Sequence, residues 1–177
     1  MTIRVWKRML YGLAALILGA CSSKLSPIRQ EAHVDLPRFM GDWYVIANIP
    51  TFIEKGAHNA IESYRLNSDG TVATTFTFHE DSPHGPLKKY EPTGFIVDKQ
   101  SNAVWGMQFM WPFKGDYRIV YLDPEYTQTI IGREARDYVW IMSKKPALTD
   151  SEFSKLLAIV KQEGYDISQV QKVPQQW

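Results

Sequence analysis

From Gly41 to about Ser143 the chain alternates apolar and polar residues, the period of strands with one buried face. Trp105-Gly106-Met107-Gln108-Phe109 is the clearest case: Trp105, Met107 and Phe109 share one face, Gly106 and Gln108 the other. Trp43, Val45 and Ala47 line up on an earlier strand, and Val72, Phe76 and Phe78 on another. Turn-forming clusters interrupt these runs, among them Asn67-Ser68-Asp69-Gly70, Trp111-Pro112-Phe113-Lys114-Gly115 and Leu122-Asp123-Pro124-Glu125. The pattern predicts eight strands, near 42–49, 59–66, 71–79, 88–97, 103–110, 116–122, 126–132 and 138–143. No helical stretch separates them, so sequence neighbours pair antiparallel. A sheet of that size loses its open edges by closing into an up-and-down β-barrel.

After Pro146 the period changes. Thr149-Asp150-Ser151-Glu152 forms a capping box, in which the Thr side chain accepts an early helix N–H and the Glu reaches back. Phe153, Leu156, Leu157 and Val160 then recur at helical spacing as far as a stop at Gly164. The fold class expected is all-β: an eight-stranded antiparallel barrel with one C-terminal α-helix packed on its outside.

The N-terminus reads differently. Arg4, Lys7 and Arg8, with no acid, precede an uncharged run from Met9 to Ala20. This is the order of a secretory signal, and the run falls short of the roughly 20 residues of a spanning helix. Cys21 follows, the only cysteine in 177 residues, which leaves no intrachain disulfide and no Cys-based zinc site. Residues 22–35 are polar and patternless, a tether. The expected organisation is therefore a signal peptide over 1–20, an N-terminus and tether over 21–35, and one domain over 36–177. Without residues 1–20 the chain carries 17 basic and 19 acidic residues, a net charge of −2. Neither that balance nor any basic stripe offers a grip on nucleic acid.

Two resemblances sharpen this picture. Leu18-Gly19-Ala20-Cys21 resembles the bacterial lipobox, in which the cysteine becomes the acylated N-terminus. Ser22 stands where an Asp resembles an inner-membrane retention signal, so this resemblance implies the outer membrane, with the domain on the periplasmic side. Gly41-Asp42-Trp43-Tyr44, Leu122-Asp123-Pro124-Glu125-Tyr126 and Trp140-Ile141-Met142-Ser143-Lys144-Lys145-Pro146 resemble, in order, the three motifs of the lipocalins. Together with the lipobox they point to the bacterial outer-membrane lipocalins. Lys144 departs from the pattern, since lipocalins usually place there an Arg that lies across the first-strand Trp and closes the barrel floor. The floor residues expected are Gly41, Trp43 and Lys144. The family resemblance implies binding of fatty acids and phospholipids, lysophospholipids by preference, in storage or transport for membrane maintenance. It also implies a homodimer, for which Trp111, Pro112 and Phe113 offer an exposed apolar patch.

With Trp43 inside, alternation assigns a ligand-lining set: Val45, Ala47, Tyr64, Phe76, Trp105, Met107, Phe109, Tyr117, Ile119, Tyr121, Tyr138 and Trp140. This set is apolar and aromatic with phenol hydroxyls as its polar minority, which suits an acyl chain. Small Ala47 and Gly132 are expected to leave room inside, and Arg133 and Arg136 to lie near strand ends. The competing reading is a structural envelope lipoprotein with a filled barrel. No Gly-x-Ser-x-Gly elbow, Gly-rich phosphate loop or inward carboxylate pair stands out, so no enzymatic activity and no cofactor are expected. His79-Glu80-Asp81-Ser82-Pro83-His84 reads as a solvated loop rather than a metal site. A small enzyme on such a barrel would need an inward acid or histidine near the mouth.

Overall fold

The computed structural model describes residues 26–177. The expected signal peptide, Cys21 and the first tether residues lie outside the described residues.

The strands are β1 (Gly41–Ile49), β2 (Ala57–Leu66), β3 (Thr71–Glu80), β4 (Leu87–Tyr90), β5 (Thr93–Ile96), β6 (Val104–Met110), β7 (Phe113–Leu122), β8 (Gln128–Gly132), β9 (Val139–Ser143) and β10 (Gln171–Lys172). A one-turn helix, α1 (Leu36–Phe39), precedes them, and α2 (Asp150–Gln162) follows β9. Each barrel strand pairs antiparallel with its sequence neighbour, and β9 pairs back onto β1 to close the barrel. The expected fourth strand is split into β4 and β5 at Glu91-Pro92, where proline offers no N–H to the ladder, and both halves pair with β3. The barrel thus has eight strand positions, as expected.

Two apolar shells meet across the sheet. The inner one gathers Trp43, Val45, Tyr64, Phe76, Trp105, Met107, Tyr117, Ile119 and Met142. The outer one gathers Ala47, Ile49, Val120, Ile130, Val139 and Ile141 under Leu156 and Val160 of α2. The expected capping box opens α2: Glu152 N donates to Thr149 Oγ1 at 3.2 Å and Thr149 N to Glu152 Oε2 at 2.8 Å.

Two β-bulges correct the expected inward set. The register shifts between Val45 and Ala47 on β1 and between Ile119 and Tyr121 on β7. An extra residue turns everything beyond it to the opposite face. Ala47 and Tyr121 therefore pack in the outer shell, not in the barrel interior. Gly132 also faces outward. A Cβ there would stand 2.6 Å from Tyr165 Oη and 2.9 Å from Val120 Cγ2, so its smallness admits Tyr165 and leaves no room inside.

The two chain ends also adopt order that their composition does not announce. β1 pairs with β2 only through Tyr44; beyond it β10 takes up Ala47 and Asn48, and Gln175 Nε2 donates to both Val45 O and Ala60 O. At the other end, residues 26–34 do not hang free as a tether but lie along the barrel wall, with Ile28 and Val34 buried. The domain therefore begins before residue 36.

Candidate functional site

The barrel has a closed floor and an open mouth, and the three sequence motifs converge on the floor. Asp35 caps α1, and Phe39 O accepts from Trp43 Nε1 at 2.8 Å. Arg38 lies 4.0 Å over the Tyr126 ring and donates to Pro124 O at 3.1 Å, tying α1 to the β7–β8 turn. Lys144 Nζ sits 4.1 Å over Trp43 and donates to Met40 O at 2.9 Å. A lysine thus closes the floor with one cation–π contact and one hydrogen bond, where a guanidinium would stack and fork. Loss of solvent lowers its pKa to about 8, against a smaller upward pull from Asp42.

Above Trp43 the interior is filled by aromatic rings. Phe39 meets Trp43 at 5.1 Å and Trp105 edge-on at 5.7 Å, while Trp105 stacks on Tyr117 at 5.3 Å. Such contacts each add roughly 0.5–1.5 kcal/mol to area burial, so this half is rigid core. Val45, Tyr64, Trp105 and Ile119, all expected to line a ligand site, belong to this filled half.

The upper half holds a cavity of about 620 Å³ that opens at the mouth. Phe76, Met107, Phe109, Tyr117, Tyr138 and Trp140 line it, six of the twelve residues expected. The β1–β2 loop, Thr51 to Glu54, closes one side, and the β6–β7 hairpin contributes Met110 and Phe113.

Two acids in this wall were not foreseen. Glu62 lies inward on β2, directly opposite Trp43, and is almost wholly buried. Its face was readable, because it stands two residues from Tyr64 on the same strand and shares its parity. Burial raises its pKa to about 8, a hydrogen bond with Tyr64 opposes the rise, and the neighbouring Glu54 adds to it. At neutral pH Glu62 is thus mainly the neutral carboxylic acid. The Tyr64 and Tyr117 hydroxyls bond each other beside it, and burial raises both of their pKa values well above the usual phenol range. Glu54 comes from the loop, where strand parity gives no signal. Its Oε1 accepts from Trp140 Nε1 at 2.7 Å, and its Oε2 accepts from Thr51 N at 2.8 Å and Thr51 Oγ1 at 2.6 Å. Glu54 thereby locks the Trp140 ring against the cavity.

One of the two arginines expected near strand ends reaches the cavity. Arg133, at the end of β8, lines the mouth, and its Nη1 stands 3.3 Å from Asp137 Oδ2. Its Nε is buried with no hydrogen-bond partner among the described residues. Arg136, by contrast, holds structure, donating to Glu163 O and Ser26 O at 3.0 and 2.6 Å. In the expected loop His79 Nδ1 meets Gly85 O at 2.8 Å. Among the described residues no group of three His, Cys, Asp or Glu side chains is placed to hold a metal.

Residues 34–175 match the lipocalin-like domain family. The chain is 29% identical to the outer membrane lipoprotein Blc of Escherichia coli K12 over 157 residues, 88% of each chain. It is 32% identical to temperature-induced lipocalin-1 of Arabidopsis thaliana over 151 residues, 80% of each. Among solved structures, insecticyanin from the tobacco hornworm Manduca sexta superposes with a TM-score of 0.66 at 16% identity, covering 84% of each chain. A barrel closed by β9 on β1, a floor sealed beneath Trp43, an apolar cavity above it and a family match over 142 residues agree: the chain belongs to the lipocalin family.

Proposed function

We propose that this protein is an outer-membrane lipoprotein, cleaved after Ala20 and acylated at Cys21, that holds one amphiphilic lipid in its barrel and stores or carries it in the periplasm. The cavity carries this reading: about 620 Å³, walled by aromatic and sulfur side chains, open at one end only. Pockets of roughly 300–1,000 Å³ accommodate lipid-sized ligands. Each buried methylene contributes about 0.8 kcal/mol, so ten give about 8 kcal/mol, enough to offset much of the cost of association. The lipoprotein name of the Escherichia coli relative and the lipobox-like Leu18-Gly19-Ala20-Cys21 support the anchor and its location.

The polar groups favour a particular class of amphiphile. The unpaired Nε of Arg133 at the mouth suits a phosphate or carboxylate, and Tyr138 stands beside it with the guanidinium 5.3 Å from its ring. A single-chain anionic lipid, fatty acid or lysophospholipid, satisfies Arg133 with its head and the apolar wall with its tail. The filled half of the barrel stops the tail at Glu62 and Tyr117.

The test is a fluorescence titration of the unacylated Cys21→Ser chain with a lysophospholipid, a fatty acid and an uncharged monoacylglycerol. Saturable quenching by the two anionic lipids is expected. Arg133→Gln should weaken these about tenfold and leave the uncharged lipid unchanged. An absence of saturable quenching by all three would favour the filled structural barrel.

A further inference from the structure

We infer that the barrel stands on the membrane mouth-down, with its rim of exposed apolar side chains seated in the bilayer surface, so that lipid passes between bilayer and cavity without crossing water. The inference rests on the acylation of Cys21 proposed above and adds an orientation to it.

The first observation is where the N-terminal strap begins. Ser26 O accepts from Arg136 Nη2 at 2.6 Å, and Ile28 N donates to Glu134 Oε1 at 3.3 Å. Both partners lie in the β8–β9 loop at the mouth. The strap then descends the outer wall, with Glu31 N donating to Ile119 O at 2.9 Å and Val34 N to Ser101 O at 2.7 Å, and reaches α1 at the floor. The chain therefore leaves the domain towards Cys21 from the mouth end, not the floor.

Reach then limits the poses. Five residue steps separate Cys21 from Ser26, at most about 18 Å of chain. β1 and β7 run nine and ten residues between floor and mouth. At about 3.3 Å per residue and a tilt near 40°, that is a barrel height of roughly 23 Å. An anchor starting at the mouth cannot reach a bilayer lying beneath the floor. Reach alone still allows the barrel to lie on its side.

The rim selects the mouth. The described residues include eight large exposed apolar side chains, and six of them surround the mouth: Phe52 in the β1–β2 loop, Leu87 at the start of β4, and Phe109, Met110, Trp111 and Phe113 in the β6–β7 hairpin. Phe52 and Trp111 are 83% and 82% exposed. Aromatic residues at a rim suit the bilayer interface, where rings insert at headgroup depth. Phe52, Phe109, Met110 and Phe113 also line the cavity, so its apolar wall continues without a break onto this surface.

The test places one fluorophore at the mouth, in Trp111→Cys, or at the floor turn, in Asp69→Cys. The acylated full chain, its acylation verified by mass, is reconstituted into phosphatidylethanolamine–phosphatidylglycerol vesicles containing an acceptor dye. Energy transfer should be several-fold greater from position 111 than from position 69; equal transfer, or more from the floor, overturns the orientation. The same labels in the Cys21→Ser background form a second arm. There the mouth probe alone should shift to the blue on adding vesicles, and Trp111→Ser should lower vesicle partitioning several-fold while lysophospholipid affinity in solution holds. Absence of the acyl mass defeats the anchor, yet this second arm still decides whether the rim meets lipid. A mouth probe shielded without vesicles, together with a doubled particle mass, would place a second copy of the chain on the patch and overturn the inference.

Discussion

Glu62 is the residue on which the electrostatics of the interior turn. Its folded pKa, about 8, lies above the ordinary value of 4.5. The folded state therefore holds a proton that the unfolded chain has lost. Its contribution to stability is fully present below pH 4.5 and is lost as pH rises through 8, by roughly 5 kcal/mol at most. Glu62→Gln keeps the shape and cannot ionise, so denaturation midpoints measured from pH 5 to 8 should fall in the parent and stay level in the variant. Lys144 acts in the opposite sense and at higher pH. Its folded pKa, about 8, lies below 10.5, so stability is gained as pH rises from about 8 towards 10.5. Lys144→Arg should remove that alkaline gain and retain the floor, because Arg stays protonated and covers Trp43 more fully; Lys144→Ala should cost about 1–2 kcal/mol in chemical denaturation. Of the two acids only Glu54, in the β1–β2 loop, meets the geometric condition for an enzyme reading, an inward acid near the mouth; Glu62 lies opposite Trp43 at the bottom of the cavity. Glu54 spends both oxygens on Trp140 and Thr51, so its hydrogen bonds position the Trp140 ring.

At the scale of elements, what the sequence revealed and what it hid have separate physical causes. Strand alternation, turn residues and the capping box are local, and all eight barrel positions and α2 were legible from them. The β4–β5 break was signalled by Pro92. The bulges at Val45/Ala47 and Ile119/Tyr121 were not, because an extra residue in a ladder is decided by the partner strand. Alternation carried past each bulge put Ala47 and Tyr121 on the wrong face. The cavity set was half legible for another reason: parity says inside or outside, but not how far up the barrel the aromatic fill extends. Trp140→Glu and Trp105→Glu should therefore part company. Trp140 borders the cavity, so its variant should fold and bind lipid at least tenfold more weakly. Trp105 is 1% exposed within the ring stack, so its variant should lose several kcal/mol of stability by burying an unpaired charge. On the outer face, Gly132→Ala should cost about 1–3 kcal/mol, because Tyr165 Oη is pinned to Arg133 N and O at 2.8 and 3.1 Å and cannot yield. Calorimetry of these three variants beside lipid titrations checks the division between shells.

The whole molecule is a half-filled barrel with no disulfide to hold it. Its lower half is ring-packed core closed by Lys144, and its upper half is a cavity of about 620 Å³ under an apolar rim. The filled half supplies stability, which lets the open half keep room for a ligand. The strap over 26–34 and the tail over 171–177 brace the wall where β1 and β2 separate and along β7. The proposed function requires that the open half take one amphiphile. Native mass spectrometry of the Cys21→Ser chain equilibrated with a lysophospholipid addresses it most directly. A single lipid adduct per chain, abolished by Trp140→Glu, is expected. A spectrum of bare protein at saturating lipid, or adducts that persist equally in Trp140→Glu, would contradict it.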